Sequence, residues 1–212
     1  MISALGEQDH ALLIDCEDLD SEPVHIPDSL SLIIVNSNVQ RGLVDSEYNL
    51  RREQCKEVAD HFGVESLRHV ELCKLEAAKS ELSGVCYRRA RHVLTENRRT
   101  QHASHALEAG NIAKLSKLMA QSHASMRDDF EITVPEIDTL VDIISLVIGD
   151  RGGVRMTGGG FGGCIVALVD HALTDAVVEA VESQYATKTG LEATVYLCSA
   201  SAGATRVDEE VY

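Results

Sequence analysis

The stretch Met156–Cys164, MTGGGFGGC, limits the possible folds more than any other part of the chain. Five of its nine residues are glycine: Gly158, Gly159, Gly160, Gly162 and Gly163. Glycine accepts positive φ and close backbone approach, at a cost in ordering entropy. So many together belong where a loop must take a conformation, or reach a closeness, that a Cβ would forbid. Ile165–Val169, IVALV, follows as an apolar run of strand length. The pattern is a glycine loop feeding a buried strand, and on spacing alone three uses of that loop stay open. Its backbone N–H groups could form an anion nest that cradles phosphate. It could pack against another backbone and shape a pocket from behind. Or it could be a structural hairpin, although a plain turn needs only one or two positive-φ residues. No GK[ST] ends the stretch, so it is not a Walker A loop. A strand rather than a helix follows, so no helix N-terminus adds its dipole.

The remainder reads as strands and helices around an aliphatic core, since only 4% of the residues are aromatic and Trp is absent. Met1–Gly6 looks like the tail of a helix stopped by Gly6, which is an abrupt way for a chain to begin. His10–Cys16 reads as a strand, and Val24–Pro27 as a short edge strand bounded by prolines. Leu30–Asn36, LSLIIVN, is the clearest strand of the first half. The polar stretch after it leads to a helix that starts near Tyr48 and runs to Gly63. Asn49 is placed to cap this helix, and Arg51 and Arg52 to pair with Glu residues on its wet side. By composition alone, Tyr48 is a half-buried packing residue. Helices are expected at Glu71–Glu81, Val85–Ala109 and Ile112–Ser122. The basic run Val85–Leu94 has the default reading of a solvated helix face.

Ser122–Thr133, SHASMRDDFEIT, is densely polar. Asp128 and Asp129 beside Arg127 could serve acid–base or metal chemistry. The commoner use of such a cluster is a salt-bridged loop that fixes two helices. Pro135 suits a first helical turn, and Glu136–Ile148 follows with a 3.6-residue apolar repeat. Gly149–Gly153 ends that helix. Beyond the glycine stretch and its strand come an amphipathic helix, Thr174–Thr187, and a last strand, Thr194–Cys198. Residues 200–212 have no pattern and read as a frayed tail. Helices returning to one antiparallel sheet make the chain α+β, with a ferredoxin-like split as the expected topology and residues 1–199 as one domain.

Lys and Arg number 19 against 34 Asp and Glu, a net charge of −15. That balance disfavours nucleic acid and anionic membrane as partners. The six cysteines form no CxxC pair and none stands at zinc-ligand spacing with His. With neither a signal peptide nor an apolar run of transmembrane length, the expectation is reduced thiols and a cytoplasmic location. His102 and His105 share a helix face but have no third ligand nearby, so no metal site is expected there.

Three stretches together carry a resemblance to a known family. Arg155–Val169, RMTGGGFGGCIVALV, resembles the third motif of the GHMP kinase superfamily of sugar and small-metabolite kinases. Asn36–Cys55, NSNVQRGLVDSEYNLRREQC, and Ser122–Val141, SHASMRDDFEITVPEIDTLV, resemble the galactokinases within it. The likeness runs from Met1 to about Cys198. It implies the C-terminal domain of the GHMP kinase fold: a ferredoxin-like antiparallel sheet with a helical layer. It also implies ATP-dependent phosphorylation of the anomeric hydroxyl of galactose, with Mg²⁺. In the family, the tyrosine at the position of Tyr48 hydrogen-bonds the sugar, which displaces the packing reading of that residue. The third motif falls on Thr157, Gly158, Gly159, Gly160, Phe161, Gly162 and Gly163. It lies by the active site and supports the phosphate-binding loop of the other domain, which favours the second of the three uses.

The family's sugar-binding motif, its phosphate loop with a metal-ligand serine, its metal-ligand Glu and its catalytic Asp all fall upstream of the position matching Met1. No residue here inherits those roles. The resemblance therefore implies no catalytic residue and no metal ligand in this chain, and Asp128 and Asp129 do not fill the gap. The expectation is a carboxyl-terminal half, from a truncated gene or an internal start, that is inactive alone and needs the missing N-terminal half as a partner. The alternative is a noncatalytic galactose-sensing or galactose-binding module. Either way, the glycine loop is expected to face the same cleft as Tyr48.

Overall fold

The computed structural model describes residues 2–40 and 44–204. A short helix α1 (Ile2–Leu5) leads into a two-stranded antiparallel ribbon, β1 (His10–Ile14) and β2 (Ser21–His25). Val24 was expected to open the second strand, yet Pro23 lies inside it, opposite Leu12. A proline is tolerated there because the ribbon has a free edge that requires no N–H from it.

The principal sheet has four strands: β3 (Leu30–Asn36), β4 (Gly152–Thr157), β5 (Cys164–Asp170) and β6 (Thr194–Cys198), in the order β4-β5-β3-β6 and antiparallel throughout. A helical block joins β3 to β4, the glycine loop joins β4 to β5, and helix α7 (Thr174–Thr189) joins β5 to β6. This is the split βαββαβ of a ferredoxin-like fold. Side chains alternate across the pleat. One face carries Ile33, Val35, Val154, Met156, Ile165, Ala167 and Val169, all buried with helices α6 (Pro135–Ile148) and α7 in the main core. Pro135 takes the first position of α6, where its missing N–H costs nothing.

Between β3 and α6 run α2 (Val44–His61), α3 (Leu72–Ala77), α4 (Gly84–Glu108) and α5 (Ile112–Ser125), the last continuing into a single π-helical turn, Met126–Phe130. Helices α2 to α4 bury a second cluster that includes Val58, Leu75, Ala90 and Leu94. The far ends of α4 and α5 cover the other face of the sheet with Leu107, Leu115 and Met119. Helix α2 begins before Tyr48, so Asn49 is an interior residue and not a cap.

Strand β4 was not expected. Its opening Gly152-Gly153 looks like the loop after α6, but both glycines answer to crowding. A Cβ on Gly152 would collide with the Leu168 backbone, and one on Gly153 would lie 2.5 Å from the Met119 sulfur. Residues 200–204, in the expected tail, lie along α1, with the Gly203 and Ala204 N–H groups donating to Gly6 O and Ser3 O at 2.7 Å. No helix among the described residues is long and apolar enough to cross a membrane.

Candidate active site

The glycine loop takes a backbone path that side chains resist. Gly158, Gly160, Gly162 and Gly163 all have positive φ, and so does Phe161, at 58°. A non-glycine residue in that region persists only where its surroundings impose it. Here the Phe161 N–H donates to Ile132 O at 2.6 Å, and the ring packs against the main core. Gly160 is pressed so close to Ile132 that a Cβ would stand 2.6 Å from its carbonyl oxygen. At the far end of the loop, buried Ser37 donates from both its N–H and its hydroxyl to Gly163 O, each at 2.8 Å. The Tyr185 hydroxyl of α7 in turn donates to Ser37 O at 2.8 Å. Of the three uses the spacing left open, close packing on other backbone is the one this geometry displays.

Ile132 belongs to the polar segment that follows α5. There four successive carbonyls each accept a donor from elsewhere in the fold. Arg89 Nη1 reaches Asp129 O, Arg51 Nε reaches Phe130 O at 2.7 Å, Arg51 Nη2 reaches Glu131 O at 2.9 Å, and Phe161 N–H takes Ile132 O. The π-helical turn and the left-handed Glu131 (φ 52°) turn these carbonyls away from the helical ladder and leave them needing partners. The side chains tie the same turn to α4. Arg91 pairs with the Asp129 carboxylate, and Arg88 and Arg89 pair with that of Glu131 at 3.0 and 2.7 Å. The hydrogen bond from Arg89, then that from Arg88, holds the Glu131 carboxyl below its ordinary value. The salt-bridged loop is thus the use that this acidic cluster has in the structure.

Two expectations are corrected. Arg51 is not on a wet face: it is 7% exposed and also pairs with Glu47 at 3.2 Å. The basic run of α4 is not a solvated face, because Arg89 is 2% exposed and His92 is buried beside it. Both helices turn arginines inward since the turn presents more acceptors than its own backbone satisfies. Sequence reasoning missed Arg51 and Arg89 as organising residues. The signal available was an arginine on the same helical face as apolar positions, which periodicity counts against burial.

Tyr48 stands on α2, three residues before Arg51, so the two are neighbours on the helix surface. Arg51 lies 5.7 Å over the Phe161 ring, which brings the Tyr48 side of α2 next to the glycine loop. Tyr48 itself is 58% exposed. Two clefts, of about 770 and 310 Å³, lie elsewhere, and neither is lined by Tyr48 or by residues 157–163. The shared cleft expected between Tyr48 and the loop is thus not one of these two. Among the described residues, no group of three or more His, Cys, Asp or Glu side chains is placed to hold a metal ion.

The three stretches that carried the resemblance therefore meet: Ser37 and Arg51 from the first, Phe130–Ile132 from the second, Phe161–Gly163 from the third. The family described as GHMP kinases, C terminal, matches residues 103–187. The crystal structure of Lactococcus lactis galactokinase complexed with galactose is 34% identical over 96% of this chain, with a TM-score of 0.88. This chain covers 54% of that one. L. major mevalonate kinase, solved with R-mevalonate, is 15% identical, with a TM-score of 0.57 over 92% of this chain and 50% of its own. Streptococcus pneumoniae phosphomevalonate kinase, solved with phosphomevalonate and AMPPNP, is 12% identical, with a TM-score of 0.53 over 86% of this chain and 44% of its own. These last two share the fold. The chain carries the C-terminal domain of the GHMP kinases and is similar, along nearly its whole length, to about half of the lactococcal galactokinase.

Proposed function

We propose that this chain is the sugar-side and loop-supporting half of a galactokinase that phosphorylates galactose with ATP and Mg²⁺ in the cytoplasm. The observation that supports this reading is the convergence of the three galactokinase-like stretches onto the glycine loop, in a chain 34% identical to the lactococcal galactokinase along nearly its whole length. Tyr48 supplies a hydroxyl to the sugar. Thr157–Gly163 forms a stiff backbone wall behind the nucleotide-binding loop of an upstream domain. Phosphoryl transfer depends on positioning and on neutralising charge around the phosphates. This chain contributes to the first; the phosphate loop, the metal ligands and the catalytic Asp belong to the upstream half, so the chain alone is inactive.

The test is a coupled assay with galactose and ATP. We expect no turnover from the purified chain and turnover when it is co-expressed with a galactokinase N-terminal half. Full activity from the chain alone sinks the division of labour. No activity with any such half, from a folded chain, sinks the kinase reading.

A further inference from the structure

We propose that His123, held by Asp138, is a positioning residue that fixes where the glycine loop begins. Strand β4 is an edge strand, paired with β5 on one side only. Its Met156 N–H points away from β5, and His123 Nδ1 accepts it at 3.3 Å. Met156 is the last buried residue before Thr157 and the loop. His123 is 4% exposed, on α5 at the base of the π-helical turn. An imidazole that accepts at Nδ1 carries its proton at Nε2. That Nε2 faces the Asp138 carboxylate on the first turn of α6, 3.1 Å away. The two atoms are not in line for a full hydrogen bond, and they are the buried side-chain polar atoms left without a bond among the described residues. A small ring rotation closes that gap, and each is the other's partner at hand.

The arrangement does what a bare edge strand cannot. It satisfies a buried N–H that would otherwise be orphaned, and it ties the loop's start to α5 and α6 together. The carboxylate selects the tautomer, the tautomer frees Nδ1 to accept, and the acceptor holds the strand end that aims the loop. The inference rests on the proposed function only in calling the loop part of an active site, so its test uses neither galactose nor ATP.

The test is nitrogen-15 NMR of the intact chain at pH 8, with amide exchange. The His123 ring should show a bare Nδ1 and a protonated Nε2. In His123→Phe, amides from Met156 to Gly163 should exchange about ten-fold faster, the scale of an unsatisfied buried donor, while Ala167 in β5 stays protected. His123→Asn keeps an acceptor at the Nδ1 position and should restore most of the protection. Asp138→Ala should speed Met156 exchange by about three-fold, as expected for loss of one orienting bond. A proton on Nδ1 in the native chain overturns the proposal. So does native protection of the loop in a folded His123→Phe chain. If that variant does not fold, the native tautomer and Asp138→Ala decide the matter.

Discussion

A Cβ on Gly160 would meet the Ile132 oxygen at 2.6 Å and the Ile132 Cβ at 2.7 Å, on a backbone at φ +88°. Neither neighbour is the free end of a side chain, so the loop itself must move. Gly160→Ala should therefore cost about 3 kcal/mol, from left-handed strain and overpacking together. Gly159, in the same run, has open space around its missing Cβ and no positive φ. Gly159→Ala should stay within about 0.5 kcal/mol of the parent. Urea midpoints of the two variants check this, and equal losses would refute the packing account. Arg51 makes the complementary case. Arg51→Ala leaves the Phe130 and Glu131 carbonyls without their donor and should cost about 3 kcal/mol. Arg51→Lys should recover less than half of it, because an ammonium cannot reproduce the fork that reaches two successive carbonyls. Recovery to the parent midpoint by Arg51→Lys would show that charge alone matters there. The glycines were legible as a constrained loop because so dense a run of them is used where most side chains resist the backbone path. Arg51 was not, since the acceptors it serves lie 79 and 80 positions away.

Helix α4 and the π-helical turn form the support beneath that loop, and the weak point of the support is His92. It is 7% exposed, its ring stacks on Phe130 with centroids 4.4 Å apart, and its Nδ1 lies 2.9 Å from the Ser125 hydroxyl. Burial is the main cause that pushes its pKa down to about 4. Unfolded, a histidine titrates near 6.5, so between those values the unfolded chain binds more protons. Stability from this group is whole above about pH 6.5 and is lost as pH falls toward 4, by about 3 kcal/mol in all. The urea midpoint should fall between pH 7 and pH 4.5, and His92→Gln should flatten that slope. An unchanged slope would remove His92 from the account. Whole elements were legible to differing degrees for the same kind of reason. Strand β3 was recovered at its observed bounds, because an aliphatic run buried on one face and half-buried on the other carries its own signal. Strand β4 was lost because its glycines serve close packing against Leu168 and Met119, and its Arg155 interrupts the apolar pattern. Helix α2 starts earlier than expected, and its buried face sets the charged Arg51 in line with Val58 and Ala59, which blurs the apolar repeat.

At the scale of the whole chain, the order βαββαβ places β3 between β5 and β6, and so carries Ser37, at the end of β3, to the end of the glycine loop. The long helical insertion brings Arg51 and Ile132 back to that same point. A resemblance spread over three distant stretches was readable because each keeps its own residue pattern; their meeting in space depends on the sheet order and the helix packing. Tyr48 is 58% exposed, and the clefts of about 770 and 310 Å³ open elsewhere. A hexose is held by several converging hydrogen bonds at a concave surface, and one exposed phenol gives little net binding against water. Calorimetry with galactose should thus show binding no tighter than about 1 mM, near 4 kcal/mol, for the chain alone, with or without ATP. Binding should tighten when an upstream half is present, and Tyr48→Phe should then weaken it by about ten-fold, the scale of one hydrogen bond in a desolvated site. Micromolar binding by the chain alone would favour a galactose-sensing module over half of a kinase. A Tyr48→Phe affinity equal to the parent's in the paired protein would take Tyr48 out of the sugar site.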